Sequence, residues 1–207
     1  MRLVNSGLTT VAWHHELVSA DLSELARPRR GHFDLGTGYH GDLWLELDGL
    51  FLWPARIRPA ARQMADQLRQ YQPAAVCGPV TGGAFLAQMV AEILDAAFLP
   101  AYYEPGPPAH YRLPGVARGE IAGWPVAVVD DAVNAGTAVR ASCQELRAAG
   151  AVPVAVAALL ALGSGATVVT GTLGLPFHAL TALPSHAWPA GACPLCAAGT
   201  PLDQPPI

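Results

Sequence analysis

The sequence contains no lysine; its twelve Lys-or-Arg positions are all arginine. That absence excludes several chemistries. A Schiff-base enzyme needs an amine nucleophile, and a Walker-type nucleotide loop needs its phosphate-binding lysine. Arginine is no substitute where a proton must leave, because a guanidinium holds its proton. Charge is scarce altogether, at 14% of residues, with a net charge of −4 and a pI near 5.9. This is not the basic footprint of a nucleic-acid binder, so no nucleic-acid partner is expected. No apolar run reaches the roughly 18 residues of a spanning helix, so no membrane partner is expected either. The stretch Met1 to Ser6 lacks a secretory h-region. Four cysteines, two of them a close pair, do not have the look of a disulfide framework. The expected compartment is the cytoplasm. Half the residues are apolar, so a chain of 207 residues folds as one domain with a substantial core.

The most informative stretch runs from Val126 to Arg140. The apolar run Val126 to Val129, bounded by Gly123-Trp124-Pro125, predicts a buried strand. Asp130 and Asp131 follow, then small residues to Gly136 and Thr137, then a helical pattern from Ala138 to Ala149. Loop N–H groups and a positive helix end can hold a phosphate. Carboxylates can accept hydrogen bonds from ribose hydroxyls. Together they suit a phosphorylated sugar. An ordinary strand-turn-helix corner would show the same local pattern, so the rest of the chain has to decide.

The stretch resembles the motif by which type I phosphoribosyltransferases bind phosphoribosyl pyrophosphate (PRPP), departing at Asn134, where threonine is usual. Other segments point the same way. Leu8 to Leu25 has helical apolar spacing, and the run Arg27-Pro28-Arg29-Arg30 reads as a solvated surface. Phe33 and Leu35, then Leu43, Leu45 and Leu47, alternate about a glycine turn, which predicts a hairpin. The segment Gly31 to Gly41 resembles the N-terminal signature of orotate phosphoribosyltransferases. Pro54 to Gln72 predicts an amphipathic helix. Ala74 to Cys77 predicts a short strand, Gly78 to Ala84 a glycine turn and Phe85 to Leu94 a helix. That turn resembles the family's pyrophosphate loop. Phe98 to Tyr103 predicts another strand. The Pro- and Gly-rich stretch Glu104 to Gly119 is long enough to be functional. It resembles the family's mobile catalytic loop, with arginines in place of lysines. Val152 to Leu162 predicts a buried strand. It ends in Ala161-Leu162, where the family usually carries the Asp-Arg whose arginine contacts the carboxylate of orotate.

The resemblance spans about Leu8 to Pro205. It implies an α/β fold of the type I phosphoribosyltransferase kind, with a mostly parallel central sheet flanked by helices. A small hood comes from the N-terminal hairpin and the C-terminal tail: one domain over 1–207, with hood segments about 8–50 and 171–207 and a core about 55–170. It implies transfer of the 5-phosphoribosyl group from Mg-PRPP to a pyrimidine-type base, orotate in the family, with release of pyrophosphate. The alternatives are a different heteroaromatic acceptor, or a PRPP- or nucleotide-binding regulator without turnover. Asp130, Asp131, Arg112 and Glu104 take the catalytic roles. Asn134, Ala135, Gly136, Thr137 and Ala138 cradle the 5-phosphate, and Pro79, Val80, Thr81, Gly82 and Gly83 hold the pyrophosphate. Phe33, Thr37, Gly38 and His40 face the base. Mg2+ arrives with PRPP and is expected to have no direct protein ligand. The implied assembly is a homodimer.

Cys193 and Cys196 form a CxxC, half of a tetrahedral zinc site. His178 and His186 are the histidines considered to complete it, but their spacing is poor for a standard finger. The preferred reading of the tail is a docked segment without metal.

Overall fold

A computed structural model describes residues 22, 26–36, 38–106 and 110–204. The helical pattern expected from Leu8 to Leu25 lies almost wholly outside the described residues. So does Thr37.

The strand expected at Val126 is the hub of a six-stranded sheet. Its strands are β3 (Ala75–Pro79), β4 (Ala97–Glu104), β5 (His110–Arg112), β6 (Pro125–Val133), β7 (Val152–Leu162) and β8 (Phe177–Leu183), in the order β5-β4-β3-β6-β7-β8. All pairs are parallel except β4 with β5. Successive side chains of a strand point to opposite faces, and here both faces are apolar. Ala127 and Val129 join one buried cluster, with helices Pro54–Leu68 and Gly82–Leu94. Val126 and Val128 join another, with helix Thr137–Ala148. That double burial is why the run is continuously apolar. In helix Pro54–Leu68 the buried residues Ile57, Ala60, Ala61, Met64, Ala65 and Leu68 form one stripe. Proline at the start of this helix costs no hydrogen bond.

Strand order decides where a ligand can bind. From β3 the chain runs outward to β4 and β5, then returns to the other side of β3 and continues through β6, β7 and β8. The crevice of such a sheet opens where the order reverses, at the carboxyl ends of β3 and β6. The glycine turn leaves β3 there, and the acidic pair lies near that end of β6.

A separate three-stranded antiparallel sheet, β1 (Arg29–Asp34), β2 (Tyr39–Trp44) and β9 (Ala187–Pro189), forms the expected hood. Three details differ from the expectations. Arg29 and Arg30 are exposed, as expected of a solvated surface, yet they already belong to β1, which starts before the expected Phe33. The stretch after Glu104 is not all loop: β4 and β5 pair as a hairpin, and a short helix follows at Gly115–Arg118. The tail is divided, because Phe177–Leu183 pairs with β7 in the main sheet and only the residues from Ala187 onward join the hood. Hood and core strands look alike locally; their hydrogen-bonding partners separate them.

Candidate active site

Asp130 is almost fully buried near the end of β6. Its Oδ1 accepts from the Asp131 N–H at 3.0 Å, and Asp131 Oδ1 accepts from the Ala132 N–H at 2.7 Å. The glycine turn presses directly on this pair. A side chain at Gly82 would collide with the Asp131 carboxylate, and one at Gly83 with that of Asp130. Only glycine lets the two loops meet.

Burial pushes the Asp130 carboxyl well above the usual range, and the neighbouring Asp131 charge pushes it further. Burial raises Asp131 as well. Tyr111 stands over them. Burial, then the charge of Asp130, push its phenol up to about 12, so it stays a hydrogen-bond donor at neutral pH.

Past the pair, Gly136 adopts φ +69° and opens helix Thr137–Ala148. A side chain there would press on Val168 as well as strain the backbone. The first turn of a helix offers N–H groups without intrahelical partners, at the positive end of the dipole. Thr137 Oγ1 is buried there without a hydrogen-bond partner. A buried hydroxyl left unpaired is costly.

These parts surround two adjoining cavities. The larger, about 540 Å³, has Pro79 to Gly83 on one wall, Asp130 and Asp131 at its base and Trp44 to Asp48 from the hood opposite. The smaller, about 220 Å³, follows Ala132 to Ala138 and reaches Leu35 and Tyr39. Tyr111 and Asp130 line both. Among the described residues, no arginine lines either cavity. The larger one has four carboxylates: Glu46, Asp48, Asp130 and Asp131.

The structure thus brings together the acidic pair, the glycine turn expected to hold pyrophosphate and the loop expected to cradle the 5-phosphate. Other expected site residues lie elsewhere. Glu104 and Arg112 face each other across the β4–β5 hairpin, 2.8 Å apart and half exposed, outside both cavity linings. The hydrogen bond that Arg112 Nε donates to the Glu104 carboxylate raises the Arg112 pKa. The base-facing set is displaced. Phe33 is buried inside the hood, its ring 5.9 Å from Trp44. Gly38 sits in the hairpin turn with φ +83°. His40 Nδ1 lies beside Cys196 Sγ. The run Trp44 to Asp48 lines the cavity instead, because the hood approaches the crevice along the end of β2. Sequence reasoning missed that run, and it gave Tyr111 no role. Tyr111 lay within the stretch marked as functional, but only the tertiary structure, in which it lines both cavities, shows that it faces the site.

The two histidines named as possible partners of the CxxC also lie elsewhere. His178 is hydrogen-bonded to the Tyr71 hydroxyl at 2.8 Å, and His186 contacts Asp42. The histidines beside Cys193 and Cys196 are His32 and His40.

A parallel sheet with a covering hood, an acidic pair at the switch point and two small-residue anion loops define a type I phosphoribosyltransferase. The same fold is found in orotate phosphoribosyltransferase from Aeropyrum pernix (TM-score 0.64, 23% identity, 81% of this chain and 94% of that one). It is found equally in adenine phosphoribosyltransferase from Thermoanaerobacter pseudethanolicus (TM-score 0.64, 14% identity, 79% and 99%). No family model matches the chain. It is, however, 33% identical over 175 residues to orotate phosphoribosyltransferase of Thermotoga petrophila, spanning 84% of this chain and 89% of the relative. With an orotate phosphoribosyltransferase of Thermus thermophilus it shares 30% identity over 174 residues, 84% and 91% of the two chains. The chain belongs to the orotate phosphoribosyltransferase family.

Proposed function

We propose that the protein transfers the 5-phosphoribosyl group from Mg-PRPP to a ring nitrogen of a pyrimidine-type base and releases pyrophosphate, with orotate the acceptor that its relatives' names suggest. The observation that carries this reading is the contact of Gly82 and Gly83 with Asp131 and Asp130. It sets the glycine turn beside the carboxylate pair, the arrangement that supports binding of a phosphorylated sugar there.

The C1–oxygen bond to pyrophosphate breaks as the base nitrogen bonds to C1, and the proton lost from that nitrogen passes to the leaving pyrophosphate. Positive charge grows on the ribose. Asp130 and Asp131, with two carboxylates in a dry site, stabilise that charge and accept from the ribose hydroxyls. Thr137 and the loop Asn134 to Ala138 hold the 5-phosphate. The turn Pro79 to Gly83 orients the leaving pyrophosphate through its N–H groups. The donor set suits magnesium, since carboxylates and carbonyls bind hard cations. Bound with PRPP, the ion supplies positive charge that the arginine-free walls do not. Arg112, released from Glu104 by movement of its hairpin, brings a guanidinium to the pyrophosphate. By family analogy the protein is a homodimer. Its exposed Leu52, Trp53 and Phe85 are apolar surface for a second copy. Light scattering on the purified protein tests that assembly.

A second reading concerns the acceptor. Ala161 and Leu162, at the end of β7, are buried and apolar where the family carries Asp-Arg. A carboxylate in a closed site needs a charged or multiply hydrogen-bonded partner. The arginine-free cavity therefore favours a base without a carboxylate.

Pyrophosphate release from Mg-PRPP, with orotate and with a panel of neutral bases, tests both readings. Release with orotate supports the first, and release with a neutral base alone supports the second. PRPP binding without release for any base would overturn both in favour of a regulator.

A further inference from the structure

We propose that His32, His40, Cys193 and Cys196 bind one zinc ion, which fastens the C-terminal tail to the β1–β2 hairpin. One ligand atom from each residue lies within 4.8 Å of all the others. His32 Nε2 is 3.2 Å from His40 Nδ1, 3.4 Å from Cys193 Sγ and 3.6 Å from Cys196 Sγ. Cys196 Sγ is 3.2 Å from His40 Nδ1. Tetrahedral zinc, with bonds of about 2.3 Å to sulfur and about 2.05 Å to nitrogen, sets a nitrogen and a sulfur about 3.6 Å apart and two nitrogens about 3.4 Å apart. The observed edges agree to a few tenths of an ångström.

Hydrogen bonding alone gives these four groups no reason to converge. The Thr200 carbonyl oxygen, 2.8 Å from His32 Nδ1, can only accept. The ring proton therefore sits on Nδ1, and Nε2 turns a lone pair toward the other three groups. One N–H or S–H would satisfy that lone pair. A cation at the centre satisfies all four at once. Thr200 then acts as the outer partner that fixes the ring of a metal-bound histidine.

The donor set selects the metal. Two thiolates and two imidazoles in a tetrahedron suit zinc. The ligand atoms are close enough for a single ion and leave no room for a cluster. The protein supplies all four positions, so the ion holds structure and performs no chemistry. His32 and Cys193 are buried, which shields two of the four ligands from water.

The ion would join segments 161 positions apart in the chain, as from His32 to Cys193. Around it the tail already grips β1: the His32 N–H donates to Asp203 Oδ2 at 2.8 Å, and the Asp203 N–H donates to the His32 carbonyl at 2.6 Å. The hood is a small three-stranded sheet, the kind of element a metal commonly stabilises. Its β2 strand leads into Trp44 to Asp48, a wall of the larger cavity. Zinc would therefore hold the roof of the site without touching substrate. The inference rests on the cluster alone and is independent of the acceptor base.

The test is metal analysis of the full-length protein purified without chelator from zinc-supplemented growth. The expected content is about one zinc per chain. The double variant Cys193→Ser with Cys196→Ser should lose the zinc and melt about 10 °C lower. Because that variant can fail to fold, a second measurement uses the unaltered chain. Titration with an organomercurial, followed by a chromogenic chelator, should release the zinc as the thiols are blocked. Protein with less than about 0.2 zinc per chain, whose melting is unmoved by added zinc, would overturn the proposal. Iron in stoichiometric amount would overturn the choice of metal.

Discussion

Gly82 packs so closely on the Asp131 carboxylate that no side chain fits between them, and Gly83 stands in the same relation to Asp130. The glycines follow β3 and the aspartates lie near the end of β6, and these are neighbouring parallel strands. The contact joins what would otherwise be two separate loops into one site.

Gly82→Ala should therefore weaken Mg-PRPP binding at least tenfold, a loss of about 1.4 kcal/mol or more. The added methyl drives the Asp131 carboxylate out of place. Isothermal titration with Mg-PRPP measures this. Unchanged affinity would mean that the glycine turn does not face the pyrophosphate.

Asp130→Asn should abolish turnover yet stabilise the unliganded protein, by about 1–2 kcal/mol near neutral pH. Burial first, then Asp131, raise the folded-state pKa of Asp130 above its ordinary 3.8. The folded state then binds protons more readily than the unfolded state. Stability is full below the unfolded pKa and is lost as pH rises through the folded one. Denaturation of the parent protein should show this fall as pH rises above about 3.8. The variant should show a flatter profile.

Thr137→Val separates binding from stability. Its hydroxyl is buried and unpaired in the unliganded protein, so removing it should leave the melting temperature unchanged or slightly higher. With a phosphate bound, the variant lacks a donor. KM for PRPP should rise roughly tenfold, a cost of about 1.4 kcal/mol. Steady-state kinetics beside a thermal melt tests both halves.

Arg112→Ala should lower kcat by about 10²-fold or more while the stability changes little. The Glu104–Arg112 pair is exposed on both sides, and such pairs contribute little to folding. If kcat is untouched, the hairpin has no catalytic role.

Much of the main sheet was legible because its strands are buried on both faces. Val126 to Val129 and Val152 to Leu162 read as continuous apolar runs, and the structure makes them β6 and β7. The acidic pair and both glycine turns were legible because each lies within a few consecutive residues. The strand within Glu104 to Gly119 was hidden by its prolines and glycines, which suggest loop wherever they cluster.

The sequence by itself determined the local chemistry: a carboxylate pair, two loops able to hold anions, a CxxC and no lysine. Those are properties of neighbouring residues and survive without the fold. Tertiary structure alone decided which distant groups meet. It set Gly83 against Asp130, turned Tyr111 over the crevice, put Trp44 to Asp48 on its wall and gave Cys193 and Cys196 the partners His32 and His40. Such meetings depend on strand order and register. Those are settled by the packing of the whole chain, and no local pattern records them.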